Sequence, residues 1–96
     1  MSTKLLVIGR QESILQRVIE KLNAAGYLAE GTTEHDEAAK LCEQHQPEVV
    51  VIGGGVELND RVALKQKLRE IKPGVLFVEH FGSFQSLLDE IKWALD

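Results

Sequence analysis

The chain has 96 residues, 44% hydrophobic, 27% charged and 5% aromatic, with two prolines and no repeat or low-complexity tract; this is one ordinary globular domain spanning 1–96, with material for a single core. A formal charge of −4 repels a phosphate backbone and argues against nucleic-acid binding. No apolar run approaches the roughly 20 residues of a membrane span, and no charged-then-apolar leader opens the chain.

Taken in order, Leu5-Leu6-Val7-Ile8 is a short apolar run ending at Gly9, the pattern of a strand buried on both faces. From Glu12 to Ala25 the residues Ile14, Leu15, Val18, Ile19, Leu22 and Ala25 fall at helical spacing, and Gly26 stands where a left-handed cap ends a helix. Tyr27-Leu28-Ala29-Glu30, short and half polar, suits an edge strand. Thr33 followed by Asp36 resembles a capping box for a second helix, with Ala38, Leu41 and Cys42 as its narrow apolar stripe and Pro47 as its stop.

Val49-Val50-Val51-Ile52 is the most strand-like run of the chain, and it closes on Gly53-Gly54-Gly55. A third helix runs from about Asn59 or Asp60 to Ile71, carrying Leu64, Leu68 and Ile71 on one face, and Pro73-Gly74 breaks it. Val75-Leu76-Phe77-Val78 makes a fourth strand. Phe81-Gly82 then leads to Ser83, a good N-cap for a last helix with Phe84, Leu87, Leu88, Ile91 and Leu95. The order βαβαβαβα implies a parallel sheet with right-handed crossovers and helices on both faces, a three-layer α/β sandwich.

Leu5 to Ile8, the helix end Leu22-Asn23-Ala24-Ala25-Gly26-Tyr27, then Glu37-Ala38-Ala39 and Gln46-Pro47-Glu48-Val49-Val50-Val51-Ile52, together resemble the receiver (CheY-like, flavodoxin-like) domain of bacterial response regulators. The likeness spans Lys4 to Val78. It implies a four-stranded sheet of order 2-1-3-4, shortened by the absence of a visible fifth strand. The second and third helices would lie opposite the first, the last helix would return beside the first, and the fourth strand would be a free edge.

The resemblance also implies a site that this chain does not possess. Family receivers place acidic metal ligands after the first strand, where Gly9, Arg10 and Gln11 stand here, and the phosphoacceptor aspartate in the register of Gly53. Their hydroxyl residue at the end of the fourth strand is replaced by Glu79-His80, and the later lysine has no matching strand. Phosphoryl transfer to a carboxylate needs that carboxylate and a divalent cation held by hard oxygen ligands. The degenerate positions Gly9, Arg10, Gly53 and Glu79 provide neither, so a pseudo-receiver without aspartyl phosphorylation, metal or other cofactor is expected, with Arg10 placing fixed charge where the cation would sit.

Other candidates carry an ordinary reading beside a functional one. Gly53, Gly54 and Gly55 could present amides to an anion, or simply form a tight strand exit. Cys42 and His45 are three apart on a helix, but two ligands do not make a metal site, and His35 lies about 15 Å from His45 at helical rise. Glu79 and His80 form an acid/base couple only if the strand ends before them, because adjacent strand residues face opposite ways. Ser83 and Ser86 suit a cap. Lys65, Lys67, Arg69 and Lys72 read as a solvated face. Trp93 points away from the apolar stripe of its helix, as contact residues often do.

The expected function is therefore non-catalytic: a signalling module acting through a protein partner or as a homodimer, with Val75 and Phe77 on the fourth-strand edge and Trp93 as interface candidates. The alternative is an α/β domain binding a small ligand or anion through Arg10, the glycine loop and His80. An enzyme would need a nucleophile and base within reach, and no such pair stands out. The lone Cys42 cannot form an internal disulfide, which fits a reducing, cytoplasmic setting.

Overall fold

The computed structural model describes residues 2–80 and 82–96; Phe81, read above as part of the lead into the last helix, lies outside the described residues. The elements alternate as β1 (Lys4–Ile8), α1 (Glu12–Ala24), β2 (Leu28–Thr32), α2 (His35–His45), β3 (Val49–Gly53), α3 (Leu58–Ile71), β4 (Leu76–His80) and α4 (Phe84–Leu95). All four strands are parallel, in the order β2-β1-β3-β4.

The two central strands explain the layering. Residues 5–8 and 49–52 have relative exposures of 4% or less, so β1 and β3 direct side chains into two separate cores. On one face Leu5, Val7, Val49 and Val51 meet Leu15 and Leu22 of α1 and Leu87 and Ile91 of α4. On the other, Leu6, Ile8, Val50 and Ile52 meet Ala38 and Cys42 of α2 and Leu64 and Leu68 of α3. Each fully buried Leu, Ile or Val contributes about 1.5–3 kcal/mol relative to exposure, which makes these two seams the main stabilising contacts. The last helix does lie beside the first.

Helix ends follow the expected punctuation with one exception. Gly26 takes φ +100 after α1, a conformation that glycine reaches without steric cost, and the Ser83 hydroxyl accepts the Ser86 amide at 3.3 Å to open α4. Helix α2, however, begins at His35, with Glu34 at its N-cap and no side-chain cap. Strand β2 runs on to Thr32, pairing Gly31 with Val7 and Thr32 with Ile8, so the chain cannot turn as early as Thr33. The Thr32 hydroxyl instead accepts the Glu34 amide at 3.0 Å, and Asp36 and Glu37 supply negative charge to the first turn, where the helix dipole favours it.

The two sheet edges differ. At β2 the Asn23 side chain accepts the Ala29 amide at 2.8 Å and donates to the Ala29 carbonyl at 3.4 Å, imitating a neighbouring strand. Edge β4 has no such cover: among the described residues no side chain bonds to its backbone. Val75 does not belong to that edge. It is 6% exposed, packs in the second core and donates its amide to the Lys72 carbonyl at 3.1 Å, because the turn after α3 draws it inward before β4 begins at Leu76.

Two tests follow from this packing. A methyl group at Gly31 would stand 2.5 Å from the Val7 carbonyl oxygen, so Gly31→Ala is expected to cost on the order of 1–3 kcal/mol in urea unfolding, whereas Gly9→Ala, with 3.7 Å contacts only, should stay within about 0.5 kcal/mol. Cys42 is 0% exposed, and burial raises its thiol above the ordinary 9.0 against a smaller opposing pull from Lys72. The unfolded thiol ionises first as pH rises, so this contribution to stability is intact below 9.0 and declines above it. Thiol reagents should label Cys42 only on unfolding; rapid labelling of the native protein would contradict its burial.

Candidate functional site

Strands β1 and β3 run side by side with Ile8 opposite Ile52, so Gly9 and Gly53 leave the sheet together at its carboxyl edge, where open α/β sheets bind ligands. The Gly53 carbonyl accepts the Val56 amide at 3.1 Å. That closes a tight turn through Gly54 and Gly55 and carries Val56 into the second core, where it is 6% exposed.

Backbone conformation does not explain the glycines. Among the described residues only Gly26 and Gly74 are glycines at positive φ, so none of Gly53, Gly54 and Gly55 occupies a conformation that side chains avoid. A Cβ at Gly53 would meet nothing closer than the Ile8 carbonyl oxygen at 3.5 Å, an ordinary contact, so the position has room for a side chain. Gly55 is crowded: its Cβ would press to 3.2 Å against Cβ of Arg10. The arginine side chain lies along the glycine turn, exposed, and makes no ion pair among the described residues.

Below the turn lies a cleft of about 480 Å³ between α1 and α4. Its mouth carries Arg10, His80 and the backbone of Gly9 and Gly53 to Gly55, while Ile14, Val18, Val51 and Leu87 form apolar walls. A second depression, about 260 Å³, adjoins on the other side of Arg10 and holds Thr33, His35, Glu57 and Asp60. A third, about 540 Å³, is walled by α3 alone through Val62, Lys65, Gln66, Arg69 and Glu70; one helix cannot enclose a ligand.

Glu79 and His80 are both within β4 and face opposite layers. The Glu79 carboxylate is 3.2 Å from Lys65 Nζ and 3.7 Å from Arg61 Nε of α3. The His80 Nδ1 lies 2.9 Å from a carboxylate oxygen of Glu90 on α4. They are separate ties from strand to helix, and no acid/base couple forms. Glu90 went unnoticed in the sequence because its partner is ten residues away across a turn; only its position one helical turn after Ser86, on the side facing β4, could have suggested it.

The remaining candidates also separate. Cys42 is buried in the second core, while His45 Nε2 stands 3.2 Å from the Leu28 carbonyl oxygen and its Nδ1 is 3.8 Å from Glu30. Among the described residues no group of three or more His, Cys, Asp or Glu could hold a metal ion. Of the basic residues along and just after α3, Lys65 pairs with Glu79, Lys72 donates to the Gln46 and Pro47 carbonyls at 2.9 and 2.6 Å, and Arg69 sits 5.0 Å from the ring centre of Phe77, a cation–π geometry. Phe77 is half-buried under it. Trp93 is 71% exposed, as its helical angle predicts. Leu95 is exposed too, at the end of α4. No helix among the described residues is long and apolar enough to cross a membrane.

The chain matches no protein-family profile and no curated protein. Solved structures do resemble it. The receiver domain of the hybrid histidine kinase CckA superposes with a TM-score of 0.74 at 16% identity, over 97% of this chain and 99% of that one. The pseudo-receiver domain of the CikA protein gives 0.69 at 19%, over 99% and 98%, and the chemotaxis protein CheY4 of Vibrio cholerae gives 0.68 at 15%, over 98% and 99%.

Positions 9–11 and 53 do not fit a magnesium ion, since Gly9, Arg10, Gln11 and Gly53 bring no carboxylate. Treatment with Mg²⁺ and acetyl phosphate should therefore leave the intact mass unchanged, and Gly53→Asp alone should stay unmodified for want of acidic neighbours at 9–11. A gain of one phosphoryl group by either protein would refute this. The fold of the chain is that of receiver domains, with a bare backbone at the end of its third strand.

Proposed function

We propose that this chain is a receiver-like signalling module of the cytoplasm that works through protein contacts and not through catalysis or aspartyl phosphorylation. The observation that carries this reading is the pairing of a receiver fold with Gly9, Arg10 and Gly53 at the positions where phosphoryl chemistry needs carboxylates. With no acid to modify, the information such a module carries has to reside in what its surface binds.

Two surfaces support a contact. Strand β4 ends the sheet, and by strand alternation Phe77 and Glu79 direct their amides and carbonyls to the open side, since the Leu76 amide is already given to the Glu48 carbonyl at 3.0 Å. An extended partner segment can add there. Trp93, the only tryptophan, is 71% exposed on α4, and large exposed aromatics are the commonest anchors of binding energy. Helix α4 packs against β4, so the edge and the tryptophan belong to neighbouring elements.

The favoured partner is a second copy of the chain, with a separate signalling protein as the alternative. Light scattering over rising concentration should show a dimer that Trp93→Ala or a proline at Glu79 weakens, while Trp93→Ala keeps its folding stability within about 0.5 kcal/mol. A protein that stays strictly monomeric at every concentration would rule out the homodimer.

A further inference from the structure

We infer that the cleft between α1 and α4 is a binding site for a small amphipathic anion, a carboxylate carried on an apolar chain, with the acid group held at the Arg10 and glycine mouth. This goes beyond the protein-contact reading and does not depend on it. Three observations converge on the same occupant.

The first is size and lining. About 480 Å³ falls within the roughly 300–1,000 Å³ of small-ligand sites, and Ile14, Val18, Val51 and Leu87 line it with hydrocarbon. Ile14 is 54% exposed although it belongs to the apolar stripe of α1, which leaves apolar surface at the lip that no other described residue covers. A chain of methylenes would cover it.

The second is charge. Arg10 stands at the mouth without an ion pair among the described residues, in a protein of formal charge −4. Neighbouring carboxylates do not compete for it: Glu90 is occupied by His80 at 2.9 Å, Glu12 accepts from the Gln16 side chain at 2.8 Å, and Glu57 and Asp60 line the adjoining depression yet form no ion pair with the guanidinium. A guanidinium recognises a carboxylate through two parallel N–H donors.

The third is the backbone. Gly53, Gly54 and Gly55 are not demanded by φ, and Gly53 has room for a side chain. What glycine provides there is access, letting a ligand approach the main chain at the head of the cleft. Helix α1 begins beside it at Glu12 with no side-chain cap from Gln11, which leaves first-turn amides open as donors although Glu12 itself offsets their potential.

Octanoate, octanol and inorganic phosphate distinguish the parts of this site in amide and methyl NMR titrations of the full chain. Octanoate is expected to shift the amides of Gly9, Gly53, Gly54 and Gly55 and the methyls of Ile14 and Leu87, saturably, and to bind more tightly than hexanoate by about fourfold per methylene. Arg10→Gln should weaken octanoate at least fivefold and leave octanol unchanged; Ile14→Glu, on an exposed lip where folding is not at risk, should abolish both. Octanol binding as tightly as octanoate, phosphate binding as tightly as octanoate, or the absence of saturable shifts at the glycines would each overturn the assignment. Because the readout is ligand binding to one chain, its failure leaves the oligomeric state as a separate result.

Discussion

The sheet has to be covered twice. Strands β1 and β3 are apolar at every position from 5 to 8 and from 49 to 52, so neither face can meet water, and every other element is placed by that demand. Helices α2 and α3 close one side, α2 through the small Ala38 and Cys42 and α3 through Leu64 and Leu68. Helix α1 closes half of the other, and without a return of α4 the residues Val49, Val51 and Val78 would lie bare. Among the described residues α4 leads into no further strand, so crossover handedness does not constrain it and burial decides its side. The whole topology thus follows from a few consecutive apolar residues in two strands.

Much of this was legible in the sequence because burial on both faces writes itself as an uninterrupted apolar run, and helices write themselves as a 3.6-residue period. The strand order, the side taken by each helix and the cap at Ser83 agree with expectation. The differences fall where a local signal competed with a tertiary one. Thr33 has the chemistry of a cap, but pairing of Gly31 and Thr32 with β1 extends the strand past the point where the cap would act. Val75 has the composition of a strand residue, but the turn from Lys72 buries it before pairing begins.

The site was legible only as a set of absences. Gly9, Arg10, Gln11 and Gly53 could be seen to lack carboxylates, yet nothing in a linear reading shows that Arg10 lies along Gly55, or that Glu79 and His80 tie β4 to two different helices. Nor can a glycine's letter reveal its backbone angle: none of the three has positive φ, and at Gly55 it is the Arg10 side chain that leaves little room for a Cβ. Contacts of this kind depend on which elements become neighbours, and that information is distributed over the chain.

The amide of Asn23, laid along Ala29, blocks one of the two outward-facing residues of β2 and leaves β4 as the more open end of the sheet. Growth by strand addition therefore has a direction and a limit. Two copies joining β4 to β4 across a twofold axis would form a continuous sheet whose outer margins are both β2, each already occupied by its own Asn23. Such an assembly terminates at two, since the twofold contact uses the open edge of both copies and leaves none for a third. Pairing at β4 across a twofold axis is thus closed by its symmetry, and Asn23 on the far side of the sheet hinders further growth at Ala29.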